Sequence, residues 1–340
     1  MRVRLVDVAE RAGVHSATAS RALNEATRGR ISTDTVRRVL KAAADLGYQP
    51  NSAARSLATN RSLSIGVVIP DLTVPLFPPL LLGVDDVTSA AGYTALIVNT
   101  NNDRERERAR ISSISRRGVD GLIVATATVG DGSDNRFYSS VAPTVFVVRS
   151  PANRGQSEVL SDDSLGVHTA VKHLIDLGHR RIAHVGGPAN ISTSVTRLRA
   201  YREALFESGL EIDPRLHIAV DKLTPNAGAE AFHQLVSSGA DFTAAVAFND
   251  SVAFGCYRAI KDLGLRCPDD ISIVGYNDMT GADLVAPPLT TVAVDHYAMG
   301  AAAARMLLSM LGEPGVAANH SLRLPVDLVI RESTAPPRQQ

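Results

Sequence analysis

The sequence predicts a small all-α head followed by a larger α/β body with two lobes, each built on a parallel sheet. Apolar residues repeat at helical spacing through the first 48 residues, whereas from residue 64 short Val/Ile-rich runs alternate with helical stretches. The chain has 340 residues and is 45% hydrophobic and 21% charged, which is enough apolar material for two or three compact units.

The head begins with two short helices that a glycine separates. One apolar stripe in the first helix contains Leu5, Val8, Ala9 and Ala12. Gly13 ends this helix, because glycine tolerates the left-handed conformation. We expect the second helix from about Ser16 to Leu23 and a third from Ser32, a good N-cap, to Gly47. The pattern predicts a helix-turn-helix unit over residues 1–48.

The charge of the chain is divided between head and body. Residues 1–62 hold eleven Lys/Arg and five Asp/Glu, a net charge of +6, and the remainder holds 24 and 30, a net charge of −6. A basic head on an acidic body favours a polyanionic partner for the head. We therefore expect the second helix to lie in a DNA major groove. The alternative is a small helical bundle whose polar face is only hydrated.

The exposed face of the second helix carries small and polar residues. Ser16 and Ala17 let the helix lie deep in the groove, where Arg21 can donate two hydrogen bonds to a guanine. Polar side chains suited to phosphate oxygens are Thr18, Ser20 and Asn24.

The sequence of residues 49–63 indicates a short hinge helix followed by a linker. Pro50 breaks the chain, and Asn51 or Ser52 can cap the helix-forming stretch that follows. Leu57 has no predicted core beside it, so it is a candidate wedge for the DNA minor groove. The alternative is that Leu57 packs against the body.

The sequence pattern of the body predicts a site for a polar ligand. Val/Ile-rich strands that alternate with helices indicate parallel sheets with both faces covered. Ligands in such folds lie outside the carboxyl ends of the strands. This rule selects Asp71, Asn99, Arg149, Asn249, Asp250, Asn277 and Asp278. Amides, carboxylates and arginine suit a polyhydroxylated or otherwise polar small molecule.

Other functions find little support in the sequence. Cys256 and Cys267 form no metal-ligand pair, and reduced thiols fit a cytoplasmic protein. The first residues have no apolar signal region, and no apolar run is long enough to span a bilayer. The histidines lack the spacing of metal ligands, and the sequence has neither a nucleotide-binding loop nor a nucleophile motif. We therefore expect no metal site, no cofactor and no enzymatic activity.

The motifs "LVDVAERAGVHSATASRALN", "HLIDLGHRRIAHVGGP", "AFNDSVAFG" and "DISIVGYND" closely resemble the LacI/GalR family of bacterial transcription regulators, and the resemblance continues to about residue 333. It implies an all-α helix-turn-helix head plus an α/β two-lobed, periplasmic-binding-protein-like body with parallel-sheet, Rossmann-like lobes. It also implies a homodimer that binds a pseudo-palindromic operator, usually as a repressor, under allosteric control by a small effector between the lobes.

The resemblance also assigns residues and domains. Base-reading positions fall on Ser16, Ala17 and Arg21, backbone-contacting positions on His15, Thr18, Ser20 and Asn24, and hinge-helix positions on Asn51, Ala54 and Leu57. Arg28 lies in a loop that is more basic than is usual in the family, and we expect it to add phosphate contacts. Effector-binding positions fall on Leu76, Phe77, Arg197, Leu223, Asn249, Asp250 and Asn277. The effector-binding and dimerisation domain spans 64–334, with an N-lobe of 64–161 and 293–321 and a C-lobe of 163–291 and 322–334.

Two departures from the family pattern concern the effector. Val148 and Asn277 stand where relatives often carry Asp, so the cleft lacks two carboxylates suited to a neutral sugar. With Arg149 and Arg197 nearby, an anionic effector such as a sugar phosphate or sugar acid becomes the alternative to a simple sugar. Two other classes remain open from the sequence, namely a transporter's solute-binding protein and a sugar- or nucleotide-processing enzyme.

Overall fold

The computed structural model describes residues 3–48, 61–129, 133–151, 155–312 and 320–338. The chain separates into two compact units, residues 1–62 and residues 63–340. Of the predicted DNA-binding residues, Asn51, Ala54 and Leu57 lie outside the described residues.

The first unit is a helical head. It contains α1 (Leu5–Ala12), α2 (Ser16–Leu23), α3 (Glu25–Arg28) and α4 (Thr33–Asp45). Ser32 caps α4, and Gly13 ends α1 with φ 64° while its N–H donates to the carbonyls of Ala9 and Glu10. The three predicted helices are confirmed within about a residue or two. The short α3 was not predicted; its turn forms because the carbonyl of Asn24 accepts hydrogen bonds from Thr27 and Arg28.

The head has its own apolar core. Three helices contribute small and branched side chains to it: Val8, Ala9, Ala12, Ala19, Ala22, Val36, Val39, Ala42 and Ala43. Helix α2 buries Ala19 and Ala22 and packs Leu23 partly against this core, so its opposite face is left for contacts outside the head.

The body alternates strands and helices. Its described elements are β1 (Ser64–Ile69), α5 (Phe77–Ala90), β2 (Thr94–Asn99), α6 (Arg104–Ser115), β3 (Gly121–Val124), α7 (Ser133–Val141), β4 (Thr144–Val147), β5 (Ser157–Ser161), α8 (Asp163–Asp176), β6 (Ile182–Gly186), α9 (Ser192–Glu207), β7 (His217–Ala219), α10 (Pro225–Ser237), β8 (Ala244–Ala247), α11 (Asp250–Asp262), β9 (Ser272–Asn277), β10 (Thr290–Val294), α12 (His296–Gly312), β11 (Ser321–Leu324) and β12 (Val326–Val329). A 3₁₀ turn covers Pro214–Leu216.

Two six-stranded sheets form the two lobes. The N-lobe sheet has the order β11-β5-β4-β3-β1-β2 and is parallel throughout. The C-lobe sheet has the order β12-β10-β9-β8-β6-β7, with only β12 antiparallel to its neighbour. Both carry the doubly wound topology that places a ligand at the carboxyl ends of the strands.

The chain passes between the lobes three times, at residues 162, 295 and 325. The second and third passages lie three residues beyond the expected 292 and 322. The boundaries predicted at 293 and 321 are therefore corrected, because β10 remains paired with β9 and β12 up to Ala293 and Val294, and β11 pairs with β5 up to Leu324.

One apolar cluster contains residues of both sheets, among them Ile65 and Val67 of β1 and Val274 and Val292 of the C-lobe. The lobes thus share buried surface beneath the cleft. Among the described residues, no helix is both long and apolar enough to cross a bilayer.

Candidate functional sites

Helix α2 presents a polar face on the head. His15 is its N-cap, and the imidazole Nδ1 accepts a hydrogen bond from the Ala17 N–H at 3.3 Å. Further along, Ser20, Arg21 and Asn24 are exposed together with Ala17, whereas Ser16 and Thr18 are half-buried. The predicted base- and phosphate-contacting residues therefore share the surface of one short helix.

The carboxyl end of α2 is capped by the following turn. The Arg28 Nε donates to the Ala22 carbonyl at 3.1 Å, and the Thr27 hydroxyl donates to the Arg21 carbonyl at 3.0 Å. These bonds satisfy carbonyls that the last turn of a helix leaves without partners. Arg28, predicted only as a phosphate contact, thus also stabilises the end of α2.

The body has a cavity of about 220 Å³ between its lobes. The N-lobe lines it with Pro75, Leu76 and Pro79, the loop after β9 with residues 277–280, and the second passage between the lobes with residues 294–297. Two predicted effector residues, Leu76 and Asn277, meet in this cavity. Asn277 has φ 102° at the end of β9, a conformation that turns the chain toward the cleft.

Arg197 of α9 is buried and fully oriented by its neighbours. Its Nε and Nη2 donate to Asp163 Oδ1 at 3.0 and 2.9 Å, and its Nη1 donates to the Phe248 carbonyl at 2.6 Å. The guanidinium carbon lies 3.5 Å from the centre of the Tyr276 ring and 4.7 Å from that of Phe248. Stacking and hydrogen bonds together fix the plane of the guanidinium.

Arg149 follows β4 on the opposite lobe and has a different environment. Within the described residues its guanidinium makes no hydrogen bond or ion pair, although the side chain is half-buried. Burial lowers the pKa of Arg149 to about 10; the negative charge of Glu107 opposes this shift and the positive charge of Arg197 adds to it. Arg149 therefore stays cationic at neutral pH and lies within electrostatic range of Arg197.

The lobes also touch beside Arg149. The Ser150 N–H donates to the Ser192 Oγ at 2.9 Å, and the Val129 N–H donates to the Asn190 carbonyl at 2.8 Å. Both bonds join an N-lobe strand end to the start of α9. They place Arg149 at the junction of the two lobes.

Two predicted effector residues make hydrogen bonds that stabilise the fold. Asp250 has no exposed surface; its carboxylate accepts from the Thr291 hydroxyl and from the Met279 N–H, both at 2.6 Å. Asn249 caps α11, since its Oδ1 accepts from the Val252 N–H at 2.9 Å. Asp250 therefore holds β10 and the loop after β9 together, and its contact with an effector remains a prediction.

Phe77 and Leu223 also pack against apolar side chains. Phe77, at the start of α5, is 2% exposed and belongs to the cluster shared by the lobes. Leu223 is half-buried against the C-lobe core. Neither lines the cavity, and the side chains of Arg149 and Arg197 do not line it either. The effector contacts predicted for these residues remain predictions.

Comparisons with known proteins agree with this architecture. A family model described as bacterial regulatory proteins, lacI family, matches residues 4–51, and a periplasmic binding protein-like domain matches residues 171–334. The HTH-type transcriptional regulator RegA of Clostridium saccharobutylicum is 32% identical over 340 residues, which cover 98% of this chain and all of RegA. The chain belongs to the LacI family.

Two solved structures share this fold. The lac repressor dimer bound to operator and the anti-inducer ONPF has a TM-score of 0.87 and 28% identity, covering 98% of this chain and all of that one. A complex of the transcriptional regulator CelR with cellobiose has a TM-score of 0.73 and 29% identity over 98% of this chain and 100% of CelR. As a LacI-family member, this chain is a DNA-binding transcriptional regulator. The family therefore favours regulation over the two alternative classes, a processing enzyme and a transporter's solute-binding protein.

Sequence reasoning missed three polar residues of this LacI-family cleft. Asp163 holds Arg197, Glu107 lies buried near Arg149, and His296 lines the cavity. Glu107 accepts hydrogen bonds from the hydroxyls of Thr126 and Tyr138. His296 follows β10, so the rule that places ligands at the carboxyl ends of strands could have found it.

His296 is a neutral member of the cavity wall. Burial lowers its pKa to about 4; the positive charge of Arg197 adds to this shift and the carboxylate of Asp295 opposes it. At neutral pH its imidazole therefore serves as a hydrogen-bonding group without charge. Among the described residues, no three His, Cys, Asp or Glu side chains are grouped in a way that could hold a metal ion.

Proposed function

We propose that this LacI-family regulator is a homodimeric repressor that binds a pseudo-palindromic operator and responds to a small, polar, anionic effector in the cleft. Residues 1–48 would contact DNA, residues 49–63 would form the hinge, and residues 64–334 would bind the effector and the second subunit. The protein would work in the cytoplasm, on the nucleoid when it is bound to DNA. Its likeness to the lac repressor dimer, over 98% of the chain, supports this arrangement.

The face of α2 supports the proposed DNA contacts. Ser16, Ala17 and Arg21 would read base edges, while flanking groups would bind phosphates: His15, Thr18, Ser20, Asn24 and Arg28. The exposed positions of Ala17, Ser20 and Arg21 on one helix are consistent with this division. Asn51, Ala54 and Leu57 keep their proposed place in the hinge, with Leu57 as the minor-groove wedge.

The guanidinium of Arg149, which has no hydrogen-bond or ion-pair partner among the described residues, is the observation that carries the effector proposal. A partly desolvated cation without a hydrogen-bond acceptor is unfavourable, and an anionic group would supply both charge and acceptors. Arg149 and Arg197 come from different lobes and lie within electrostatic range of each other. An anion that binds Arg149 and accepts a hydrogen bond from Arg197 would connect the lobes and favour closure of the cleft.

The size and lining of the cavity fit a sugar-derived molecule. Leu76 offers an apolar surface, and Asn277 and His296 offer hydrogen bonds to hydroxyl groups. The relative CelR was solved with cellobiose, a neutral sugar, so a sugar-like body is compatible with this fold. We add the anionic group on the basis of Arg149.

Effector and operator would be linked through the lobes. An effector that binds one degree of closure better shifts the population toward it, and operator affinity changes with the closure that positions the heads. By the same linkage, operator DNA must change effector affinity by an equal factor.

Calorimetry on the full-length protein tests the effector proposal. We expect D-gluconate to bind more tightly than D-glucose, and Arg149→Gln to remove this preference. Binding restricted to uncharged sugars would refute the anionic effector. Selection from a random DNA pool tests the operator proposal, for which an inverted repeat is the expected result and a single asymmetric motif would contradict it.

A further inference from the structure

The positive charge of Arg197 is balanced inside the protein. Asp163 Oδ1 accepts both guanidinium hydrogen bonds, and the Ser161 hydroxyl donates to the same oxygen at 3.2 Å. The side chains of Arg197 and Asp163 are each only 6% exposed. A desolvated ion pair of this kind presents almost no net charge to a ligand beside it.

Asp163 is held in place by the element that carries it. It is the first residue of α8, directly after the passage between the lobes at residue 162. Asp162 caps the helix through its own carboxylate, which accepts from the Leu165 N–H at 3.0 Å. Because Asp162 performs the capping, the carboxylate of Asp163 is not needed to begin the helix and is directed to Arg197.

The two arginines of the cleft therefore differ in whether a counter-ion compensates their charge. Arg197 retains N–H groups for hydrogen bonds to a hydroxyl, but its charge is neutralised. Arg149 has a carboxylate, Glu107, within electrostatic range but no ion pair with it in the described part of the chain. Arg149 is thus the group that can balance an incoming negative charge.

We propose that Asp163 determines which charge the effector can carry, because it occupies Arg197 and limits the cleft to one negative charge. This inference rests on the proposed function of the cleft as an anion-binding effector site. It selects a monoanion, such as a sugar acid, over a dianion, such as a sugar phosphate. A second negative charge beside Asp163 would be buried without a partner, which is strongly unfavourable.

Replacing Asp163 should reverse this selection. In Asp163→Asn, Arg197 keeps a hydrogen-bond partner of the same shape but loses its counter-ion. We expect inorganic phosphate, mostly a dianion at pH 7.5, to bind the full-length variant about tenfold more tightly than the wild type. The measurement is the rise of the melting temperature on titration with phosphate against chloride at constant ionic strength, supported by calorimetry.

Three variants isolate the cause. Asp162→Asn removes a neighbouring carboxylate but keeps an N-cap, since asparagine caps as well as aspartate, and it should bind phosphate as the wild type does. Asp163→Asn combined with Arg197→Gln should lose the gain. Asp163→Ser removes the same charge with a smaller side chain and replaces Asp163→Asn if that variant does not fold.

The results separate this inference from the proposed function. Equal phosphate affinity in the wild type and Asp163→Asn, or a gain that persists without Arg197, overturns the role of Asp163. Wild-type protein that binds phosphate as tightly as D-gluconate also overturns it. Arg149→Gln that leaves the affinity for D-gluconate unchanged instead overturns the anion site at Arg149.

Discussion

At the residue scale, charged side chains that follow strands have different roles because their burial and partners differ. Asp250 and Arg149 both follow strands that point into the cleft. Asp250 is enclosed with hydrogen bonds on both oxygens, so it holds two segments of backbone together. Arg149 has no such partner in the described chain, which is why we propose it as the group that binds the effector.

The pH dependence of stability should reveal the enclosed Asp250. Burial raises its pKa to about 7, although its hydrogen bonds with Thr291 and Met279 oppose the shift. The folded protein therefore keeps this proton while the unfolded chain, with an ordinary Asp pKa near 4, has lost it. The contribution of Asp250 to stability is complete below pH 4 and is lost as the pH rises to about 7.

Asp250→Asn provides the measurement, because asparagine does not titrate. Urea unfolding of both proteins between pH 4.5 and 8 should show that the wild type loses free energy of unfolding relative to the variant up to about pH 7. The difference should then become constant. A difference that does not change with pH would show that Asp250 is ionised in the fold at all these pH values.

Arg21 should determine one base pair of the operator. Arg21→Ala should lower operator affinity by about 1–3 kcal/mol and relax the preference at a single position in each half-site. Ser20→Ala is the control, since loss of a phosphate contact weakens binding to all sequences alike. Sequence selection with each variant makes the comparison, and an unchanged base preference in Arg21→Ala would remove it from direct readout.

The sequence could identify strand ends but not the direction of each side chain. Asn249 and Asp250 satisfied the same rule as Arg149 and Asn277, and only the folded contacts distinguish them. Asp163 follows a passage between lobes, and its partner Arg197 is 34 residues away. Such a long-range pair leaves no local pattern. Glu107 had a weak signal, because it interrupts the apolar face that Ile111 continues in α6.

At the scale of elements, caps and periodicity predicted helices better than they predicted strand ends. Ser32 and Gly13 marked their helix boundaries because local hydrogen bonds fix them. The passages between the lobes at 295 and 325 were predicted three residues too early. The lengths of β10 and β11 depend on pairing with strands distant in sequence, which local patterns do not show. The four-residue α3 also depends on contacts with the end of α2.

The turn between α1 and α2 should require glycine. Gly13 has φ 64°, where a β-carbon costs about 1–2 kcal/mol, although it would make only an ordinary contact with Arg38 Nη1 at 3.8 Å. Gly13→Ala should therefore loosen the head and weaken operator binding by up to that amount. Gly29→Ala is the matched control, because Gly29 lies in a nearby loop without a positive φ and has open space around it.

Hydrogen exchange of α1 amides in the full-length protein measures this effect without isolating the head. Exchange should accelerate in Gly13→Ala and remain as in the wild type in Gly29→Ala. Equal exchange in both variants would show that the turn accepts a side chain and that the left-handed conformation is not required.

At the scale of the molecule, the edge of the N-lobe carries an unpartnered apolar surface. Leu82 of α5 is 61% exposed, and Ile97 of the edge strand β2 is 51% exposed. Ile97 lies on the same face of the sheet as Ala95, which packs in the cluster that includes α5. The two side chains thus belong to one side of the lobe, where a second subunit would cover them.

Leu82→Glu should consequently weaken the proposed dimer. A carboxylate in an apolar interface between subunits is desolvated without a partner, so the dissociation constant should rise by a factor of ten or more, about 1.4 kcal/mol. Operator affinity should fall as the dimer dissociates, because a single subunit contacts only one half-site of the operator. Phe206→Glu is the control: Phe206 is 76% exposed on α9 of the C-lobe, apart from this surface. Sedimentation of both variants measures the dissociation constant of the dimer. Dissociation of the Phe206→Glu dimer with an intact Leu82→Glu dimer would indicate that the dimer surface lies on the C-lobe.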